Sequence, residues 1–250
     1  MLPSAQQCLG AFAAQLRRHT ALTDADADMI HSLPARITIS EAHQDYRATA
    51  SIWIVAKGTV GRFAESLDGG RQITGLYCAG DVFGLSAIMI PDGTQAYEVI
   101  ERSWLCVLPV SALVQVLACS TRVMEALWRQ TCIDAARADK WLLNVGRRDA
   151  RGRVAHLLCE LACRTWVKEG VRLTSFRVSL TQLQMADATG ITPVYVNRIL
   201  MSFRQEQLIS LQGGWAQVED WDRLADIAEF DESYLCLNSS PGELSAKFNF

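Results

Sequence analysis

Two stretches between positions 179 and 207 have residue types suited to a recognisable chemistry. Thr181 and Thr192 each precede a run of helix-forming residues, and Gly190 separates the two runs. A threonine hydroxyl caps a helix, and proline is favoured at the first helical position, so Thr192-Pro193 predicts the start of a second helix. Two helices joined by so short a turn are typical of a helix-turn-helix.

The first turns of the second helix carry side chains that can contact base pairs. Arg198 has a planar guanidinium that can hold the O6 and N7 atoms of guanine, and Asn197 can pair with adenine or hold a phosphate. Helix N-termini also favour phosphate, because their backbone amides point toward it. The candidate DNA-contacting residues are Thr181, Gln182, Thr192, Pro193, Val194, Tyr195, Asn197 and Arg198.

Simpler roles are open for several of these residues. Capping alone would account for Thr181 and Thr192, and Arg198 would also be accounted for as a solvated surface charge. Tyr195 could either pack against the domain or reach the DNA backbone. The apolar neighbours are expected in the core: Ile191, Val196, Ile199 and Leu200.

The segment after this motif predicts a hairpin. Leu208 to Leu211 and Trp215 to Val218 are short strand-like runs on either side of Gly213-Gly214, which suits a tight turn. The motif is therefore expected to be winged. Trp221 to Phe230 predicts a final helix, followed by a loose tail.

A long helical stretch precedes the motif. Ser111 to about Asn144 contains neither proline nor glycine, which predicts one or two long helices. Within it, spacings of four and three residues alternate, as at the interface of a parallel coiled coil. The candidate dimerisation residues are Met124, Trp128, Thr131, Ala135, Ala138, Leu142 and Val145. The alternative is a single helix that packs this stripe against its own β-domain.

The region from residue 35 to 110 reads as short strands broken by turns. Turn signals include Lys57-Gly58, Gly80-Asp81 and Pro91-Asp92-Gly93, a spacing that suits an antiparallel sandwich or roll. The predicted strands are Ala35 to Ile39, Ser51 to Ala56, Thr59 to Phe63, Gln72 to Tyr77, Val82 to Leu85, Ala96 to Ile100 and Trp104 to Leu108. The fold class is thus α+β: an N-terminal antiparallel β-roll, a long dimerisation helix and a C-terminal winged helix-turn-helix.

The change from strands to helices suggests a division of the chain into parts. We expect a β-roll with an N-terminal helix in residues 1–115, a dimerisation helix and hinge in 116–148, a winged helix-turn-helix in 149–235 and a flexible tail in 236–250. Gly146 to Asp149 is the expected hinge, and a helix from Ala150 to about Val167 should follow it.

Composition narrows the class of protein. The 250 residues are 50% hydrophobic and 20% charged, which suits globular domains and argues against a disordered chain. No apolar run approaches the roughly 18 residues of a membrane helix, and the first residues do not resemble a signal peptide. We therefore expect a cytoplasmic protein with eight reduced cysteines. Residues 121–180 carry a net charge of +6, whereas residues 216–250 carry −6, so a basic face is available for phosphates.

Three segments together resemble a known family. They are GDVFGLSAIM at the end of the strand region, WLLNVGRRDARGRVAHLLCELACR after the long helix, and LTQLQMADATGITPVYVNRILMSFRQEQLI in the helix-turn-helix. The chain resembles the Crp/Fnr-type transcription regulators over about residues 20 to 235. The resemblance implies a homodimer on a palindromic promoter site, with a sensor roll and contacts to RNA polymerase.

The chain departs from that family at positions that matter for ligands. The resemblance places the family's cyclic-nucleotide ligands at Leu85, Gln95 and Ala96, where the usual glutamate and Arg-Ser pair are missing, and on the long helix at Ala138 and Asp139. Without the arginine, an anionic phosphate would be buried unpaired, at a cost of several kcal/mol. We therefore expect no cyclic AMP or cyclic GMP. At Val194 many relatives have a glutamate that reads cytosine, so the DNA site should differ too.

What remains of the effector pocket is expected to be apolar. Its candidate residues are Gly84, Leu85, Gln95 and Ala96. Two outcomes are open: side chains around Trp53, Tyr77, Phe83 and Trp104 fill the space, or a neutral small molecule binds there. We favour the filled pocket, because no charge requires the space to stay open.

Metal and redox cofactors are not expected. The oxygen-sensing branch of the family holds an iron–sulfur cluster on closely spaced N-terminal cysteines, but the first 77 residues here contain only Cys8. His31 and His43 lie in polar contexts, so haem is not expected either. His156, Cys159 and Cys163 share one helix face, but their apolar surroundings favour core packing.

Other functions have less support. A metal-binding cupin needs an HxH pair, and residues 44–155 contain no histidine. A hydrolase with a nucleophile elbow needs a GxSxG motif, which this sequence does not contain. We therefore expect no enzymatic activity. The remaining rival is a winged-helix module that binds protein instead of DNA.

Overall fold

The computed structural model describes residues 3–18, 20–47, 50–90, 95–169 and 174–236. The predicted turn at Pro91-Asp92-Gly93 and the predicted tail beyond Cys236 lie outside these ranges. Within them, the chain forms two compact units. Of the described residues, those from 3 to 63 and from 76 to 135 belong to the first unit, and those from 64 to 75 and from 136 to 236 belong to the second.

Antiparallel strands dominate residues 36–109. They are β1 (Arg36–Ser40), β2 (Asp45–Arg47), β3 (Ser51–Lys57), β4 (Thr59–Glu65), β5 (Arg71–Cys78), β6 (Val82–Phe83), β7 (Ala96–Val99) and β8 (Ser103–Pro109). The described strands form two sheets, in the orders β1-β8-β3-β6 and β2-β7-β4-β5. The predicted antiparallel roll is confirmed.

The central strand β3 explains why the roll has two cores. Successive side chains of a strand point to opposite faces. Ile52 and Ile54 accordingly join one apolar core with the helices that cover the sheet, while Trp53 and Val55 join a second core inside the roll. Because both faces are buried, β3 reads as a continuous apolar run rather than an alternating one.

Two details of the strand prediction were wrong. The predicted strand Val82 to Leu85 ends at Phe83, because Gly84 adopts a left-handed conformation with φ of 84° and starts a 3-10 helix, Leu85–Ile88. Strand β2 was not predicted; its three residues pair with Ala96 to Glu98 of β7. So short a strand leaves little alternation to detect.

The helices of the first unit cover one sheet. They are α1 (Ala5–Arg17), α2 (Asp24–His31), α3 (Val110–Cys119) and the first part of α4 (Thr121–Arg147). The predicted helical stretch is thus two helices. Buried Ser120 separates them: its backbone is extended, its hydroxyl accepts a hydrogen bond from the amide of Val123, and it donates to Asp26 of α2.

The second unit surrounds α5 (Ala150–Glu169). The elements that follow α5 are β9 (Ser175–Arg177), α6 (Gln182–Thr189), α7 (Pro193–Gln205), β10 (Ile209–Gln212), β11 (Trp215–Val218), α8 (Trp221–Ala228) and a 3-10 helix, Glu232–Leu235. The core-facing side of α5 is buried as expected at Val154, Leu157, Leu158, Leu161 and Ala162.

The wing differs from the two-stranded hairpin that the sequence predicted. Its described strands form a three-stranded sheet in the order β10-β11-β9, with Trp215 of β11 opposite Arg177 of β9. The final helix is also shorter than predicted, because Glu229 adopts a left-handed conformation and ends α8 at Ala228.

The expected boundary at Gly146 to Asp149 stays a prediction. The two compact units divide inside α4, between Ala135 and Ala136, whereas the sequence placed the hinge after that helix. Among the described helices, none has the length and apolar character needed to cross a bilayer.

Candidate nucleic-acid interface

Helices α6 and α7 form the predicted helix-turn-helix. Thr181 caps α6: its hydroxyl accepts from the amide of Gln184 at 3.2 Å, and the Gln184 side chain accepts from the amide of Thr181 at 3.0 Å. Gly190 ends the helix with φ of 65°, a conformation that glycine adopts without strain. Thr192 then accepts from the amide of Tyr195, with Pro193 at the first position of α7.

The two faces of α7 separate cleanly. Val196, Ile199 and Phe203 are buried against the unit. Val194 and Arg198 are exposed on the opposite side, with 65% of Val194 accessible. The candidate DNA-contacting residues fall into two groups: exposed Thr181, Gln182, Thr192, Val194, Tyr195 and Arg198, and half-buried Pro193 and Asn197.

Two arginines of α5 hold the motif in place. The Arg151 guanidinium donates to Ser202 at 2.6 Å and to Glu206 at 2.8 Å, at the C-terminal end of α7. Arg153 donates to the carbonyl of Thr189 at 3.2 Å, at the end of α6. The hydrogen bonds from Arg151 and Ser202 lower the pKa of Glu206 to about 2, so this carboxylate stays charged at neutral pH.

The N-terminal ends of both helices suit a polyanion. Neither first turn contains an acidic residue. The positive end of each helix dipole is therefore not opposed locally by a carboxylate, which favours a phosphate nearby.

Three exposed apolar side chains near the motif were missed by the sequence analysis: Leu183, Met201 and Trp215. Met201 lies seven residues after Val194, so the helical spacing could have placed it on the same face. Leu183 and Trp215 had no such signal, because their exposure depends on how α6 and the wing pack.

The candidate dimerisation residues form an exposed or half-exposed stripe along α4. Trp128 and Leu142 are 72% and 73% exposed, which is unusual for side chains of this size. Met124, Thr131 and Ala135 are also exposed. The remaining two, Ala138 and Val145, are half-buried. Met124, Trp128, Thr131 and Ala135 belong to the same unit as most of the roll and are not part of its described cores. The choice between a dimer interface and packing on the roll stays a prediction.

Aromatic rings occupy the core inside the roll. The ring of Phe83 stacks on Trp53 at 5.3 Å and lies 4.8 Å from Tyr97 and 5.6 Å from Tyr77, measured between centroids. We call these four residues the aromatic cluster. Burial raises the pKa of Tyr97 to about 12 and raises that of Tyr77 further. Trp104 lies outside this core, contrary to expectation, and contacts the cations of Lys57 and Arg102.

The four candidate pocket residues border this cluster or the core beside it. A Cβ on Gly84 would lie 2.9 Å from the Trp53 ring, so a side chain has no room there. Gln95 accepts hydrogen bonds from Ser86 at 2.9 Å and from the Tyr97 hydroxyl at 2.6 Å. Ala96 is buried, and half-buried Leu85 packs against the core beneath the helices.

A buried polar cluster lies inside the second unit. Glu160 accepts from the Trp141 indole at 2.9 Å and from the Tyr234 hydroxyl at 2.8 Å, and it pairs with Arg164 at 3.4 Å. The ring of His156 stacks alongside Tyr234. We call these five residues the Glu160 cluster. Burial lowers the pKa of His156 to about 4, so its ring is neutral at pH 7.

The shared helix face of His156, Cys159 and Cys163 is therefore a core face. Cys159 and Cys163 are buried, and His156 contacts the rings of Tyr234 and Phe230. Within the described residues, no three His, Cys, Asp or Glu side chains are grouped as metal ligands would be.

Comparison with known protein families matches both units. Residues 42–119 match the cyclic nucleotide-binding domain, and residues 152–227 match the Crp-like helix-turn-helix domain. The first match covers most of the roll strands, and the second covers α6, α7 and the wing.

Individual relatives agree with this result. The chain is 24% identical to the fumarate and nitrate reduction regulatory protein of Shigella dysenteriae, and 23% identical to that of Escherichia coli K12. Each match extends over 178 residues and 71% of both chains.

Solved structures show the same fold. The structure of FixK2 from Bradyrhizobium japonicum is similar with a TM-score of 0.71 and 23% identity, over 78% of this chain and 98% of that one. The regulator CLP from Xanthomonas campestris, described as c-di-GMP responsive, has a TM-score of 0.60 and 14% identity, over 78% and 99%. With both domain families matched and the relatives in agreement, the chain belongs to the Crp/Fnr-type transcription regulators, a non-enzymatic family with a DNA-binding helix-turn-helix.

Proposed function

We propose that this protein is a homodimer that binds a palindromic promoter site through α7 and that its roll does not bind cyclic nucleotides. The observation that carries the proposal is the exposed N-terminal face of α7. It presents Arg198 with uncharged side chains at a helix end without acidic residues, a surface suited to the major groove.

The stripe on α4 supports the homodimer. Exposed Trp128 and Leu142 cost free energy in water, and a second copy of the same helix would cover them by a coiled-coil interface. A parallel pair of such helices would present two copies of α7 related by a two-fold axis. That symmetry suits half-sites separated by about one turn of DNA, ~34–36 Å.

The aromatic cluster supports the rejection of cyclic nucleotides. Phe83 contacts both Trp53 and Tyr97 inside the roll, and Gln95 stands where the family's phosphate-binding arginine is expected. A nucleotide would have to displace packed rings and leave its phosphate without a cationic partner, and both steps are costly. In this proposal the roll is filled, and control comes from the amount of protein.

The same proposal gives the cellular context. A promoter-binding regulator of this family would act in the cytoplasm and influence transcription through RNA polymerase. No metal, iron–sulfur cluster or haem is part of the proposal.

The test of DNA binding starts from DNA sites selected out of a random pool by the purified full chain. The expected result is a palindrome, with log affinity that falls linearly with log salt. Replacement of Arg198 by Ala should cost roughly 1–3 kcal/mol per half-site and relax the preference at one base pair. The control is Arg204→Ala, an exposed arginine in the last turn of the same helix, which should leave the preferred sequence unchanged. Failure to enrich any sequence would favour the protein-binding alternative.

The test of the dimer uses a matched pair on α4. We expect Leu142→Glu to lower both dimerisation and DNA affinity, since it puts a charge into the interface. Leu143→Glu, one residue further and pointing about 100° away, should change both much less. Light scattering at micromolar concentration measures the first property. A monomeric wild type, or equal effects of the two variants, would contradict the proposed interface.

The test of the roll is calorimetry with cyclic AMP and cyclic GMP. No heat is expected from either nucleotide, and protein refolded without small molecules should bind DNA as before. Micromolar binding of either nucleotide would contradict this part of the proposal. Loss of DNA binding after refolding would point to an effector instead of a filled roll.

A further inference from the structure

We propose that Val194 is a specificity-determining residue that selects a thymine in each half-site by contact with its 5-methyl group. This inference rests on the proposed DNA binding and deepens it, because it states which base chemistry the recognition helix selects. It concerns one side chain, at the second position of α7, and one chemical group on the DNA.

Val194 lies at a position from which a recognition helix can contact base edges. Its side chain is 65% exposed, beside the cap formed by Thr192 and on the opposite side of the helix from buried Val196 and Ile199. Exposed Arg198 and Met201 lie on the same side of α7 as Val194, so the unit itself leaves this side of the helix uncovered within the described residues. It is available for contact with a partner.

The chemistry of valine limits what it can select. Valine has neither a donor nor an acceptor, so it cannot satisfy the amino group of cytosine or adenine or the acceptors of guanine. Placed against such an edge, it would leave a polar group without water and without a partner. The 5-methyl group of thymine is the apolar feature among the major-groove edges, so a valine at this position favours thymine.

The neighbouring arginine fixes where that thymine should lie. Arg198 follows Val194 by four residues, so both side chains are on the same face of α7 and about 6 Å apart along its axis. Base pairs are spaced by about 3.4 Å, which places the two contacts within two base pairs of each other. The thymine should therefore be close to the base pair whose preference relaxes in Arg198→Ala.

The experiment combines a DNA change with a protein change. Each thymine of the selected operator is replaced in turn by deoxyuridine, which removes only the 5-methyl group, in both half-sites at once. At one position, the wild-type protein should lose about fourfold in affinity per half-site, the effect of one buried methyl group. The Val194→Ala variant should bind the unmodified operator more weakly and be insensitive to deoxyuridine at that position.

The control is Val114→Ala, the same substitution at an exposed valine of α3 in the other unit. It should leave the operator affinity and the deoxyuridine effect unchanged. Wild-type protein that is indifferent to deoxyuridine at every thymine, or a deoxyuridine effect of equal size in Val194→Ala, would overturn the inference while the proposed function stands. A wild-type protein that selects no DNA sequence would instead overturn the proposed function.

Discussion

The aromatic cluster of the roll and the Glu160 cluster of the second unit are both buried, but different forces stabilise them. In the aromatic cluster, rings contact rings, and the hydroxyl of Tyr97 reaches the neutral amide of Gln95. In the Glu160 cluster, the partners Trp141, Tyr234 and Arg164 converge on one carboxylate. The stability of the aromatic cluster therefore depends on contact area, and that of the Glu160 cluster depends on hydrogen-bond geometry.

The difference matters for what each site can do. Apolar packing is non-directional, so the aromatic cluster depends on close contact and not on an exact arrangement of partners. A buried carboxylate is tolerated only while its partners are in place. The Glu160 cluster therefore favours a single arrangement of the end of α4, of α5 and of the segment around Tyr234, all within the unit that carries the recognition helix.

The largest effect should come from removal of the carboxylate at the centre of the Glu160 cluster. Glu160→Ala leaves Arg164 without that partner and deprives two ring donors of their acceptor, which should lower the free energy of unfolding by about 3–5 kcal/mol. The matched control is Glu125→Ala, which removes an exposed i,i+4 pair with Arg129 on α4 and should cost about 0–1 kcal/mol. Urea denaturation measures the free energy of unfolding of both variants. Similar losses would show that the buried carboxylate contributes no more to stability than an exposed ion pair does.

The Glu160 cluster should also make the free energy of unfolding depend on pH, because it contains His156. The pKa of His156 is about 4 in the folded protein and about 6.5 when unfolded. Between these values the unfolded state binds the extra proton, so stability falls as the pH drops from 6.5 toward 4, by roughly 3 kcal/mol in total. Between pH 6.5 and 4.5 the lowered pKa of Glu206 contributes little, because most of its effect on stability is lost below its unfolded pKa of 4.5.

The measurement is a series of denaturation curves between pH 7 and pH 4.5, for the wild type and for His156→Phe. The phenylalanine keeps a ring beside Tyr234 but cannot titrate, so the slope in this range should largely disappear. An unchanged slope would mean that other groups account for the pH dependence.

The sequence predicted the recognition motif well because its signals are local. The cap at Thr181, the turn at Gly190 and the Thr192-Pro193 start are each contained within a few residues. Strand β9 was missed because its three residues pair with β11, about 40 residues away. No local pattern reports such a pairing.

The Glu160 cluster was missed for a related reason. Its carboxylate lies in the segment VAHLLCELAC, which reads as an apolar core face, and Tyr234 lies 74 residues further along the chain. The aromatic cluster was partly foreseen: Trp53, Tyr77 and Phe83 meet as expected, whereas Trp104 does not join them. Neighbouring residues of a strand, such as Trp104 and Leu105, point to opposite faces of the sheet. The sequence could have excluded Trp104 from the aromatic cluster only if it had shown which face of β8 is turned to the inside of the roll.

A smaller effect is expected where the roll leaves no space. Gly84 and Gly69 have nearly the same φ, 84° and 83°. A Cβ on Gly84 would lie 2.9 Å from the Trp53 ring. A Cβ on Gly69 would have none of the described atoms within 4 Å, apart from those of its chain neighbours. Both alanine variants should lose about 1–2 kcal/mol to the left-handed backbone. Gly84→Ala should lose roughly 1–3 kcal/mol more through overpacking. Equal thermal unfolding midpoints of the two variants would indicate that the aromatic cluster can accommodate an added methyl group.

The smallest predicted effect compares one hydroxyl in each cluster. Tyr234→Phe removes a hydrogen bond of 2.8 Å to the carboxylate of Glu160, and Tyr97→Phe removes one of 2.6 Å to the amide of Gln95. Hydrogen bonds to charged groups contribute about 1.5–3 kcal/mol and those between neutral groups about 0.5–1.5 kcal/mol, so the Tyr234 variant should lose more free energy of unfolding. In both variants the acceptor oxygen keeps one other donor, Trp141 or Ser86, which makes the pair comparable. A larger loss for Tyr97→Phe would reverse the contrast between the two sites and show that the roll also depends on polar geometry.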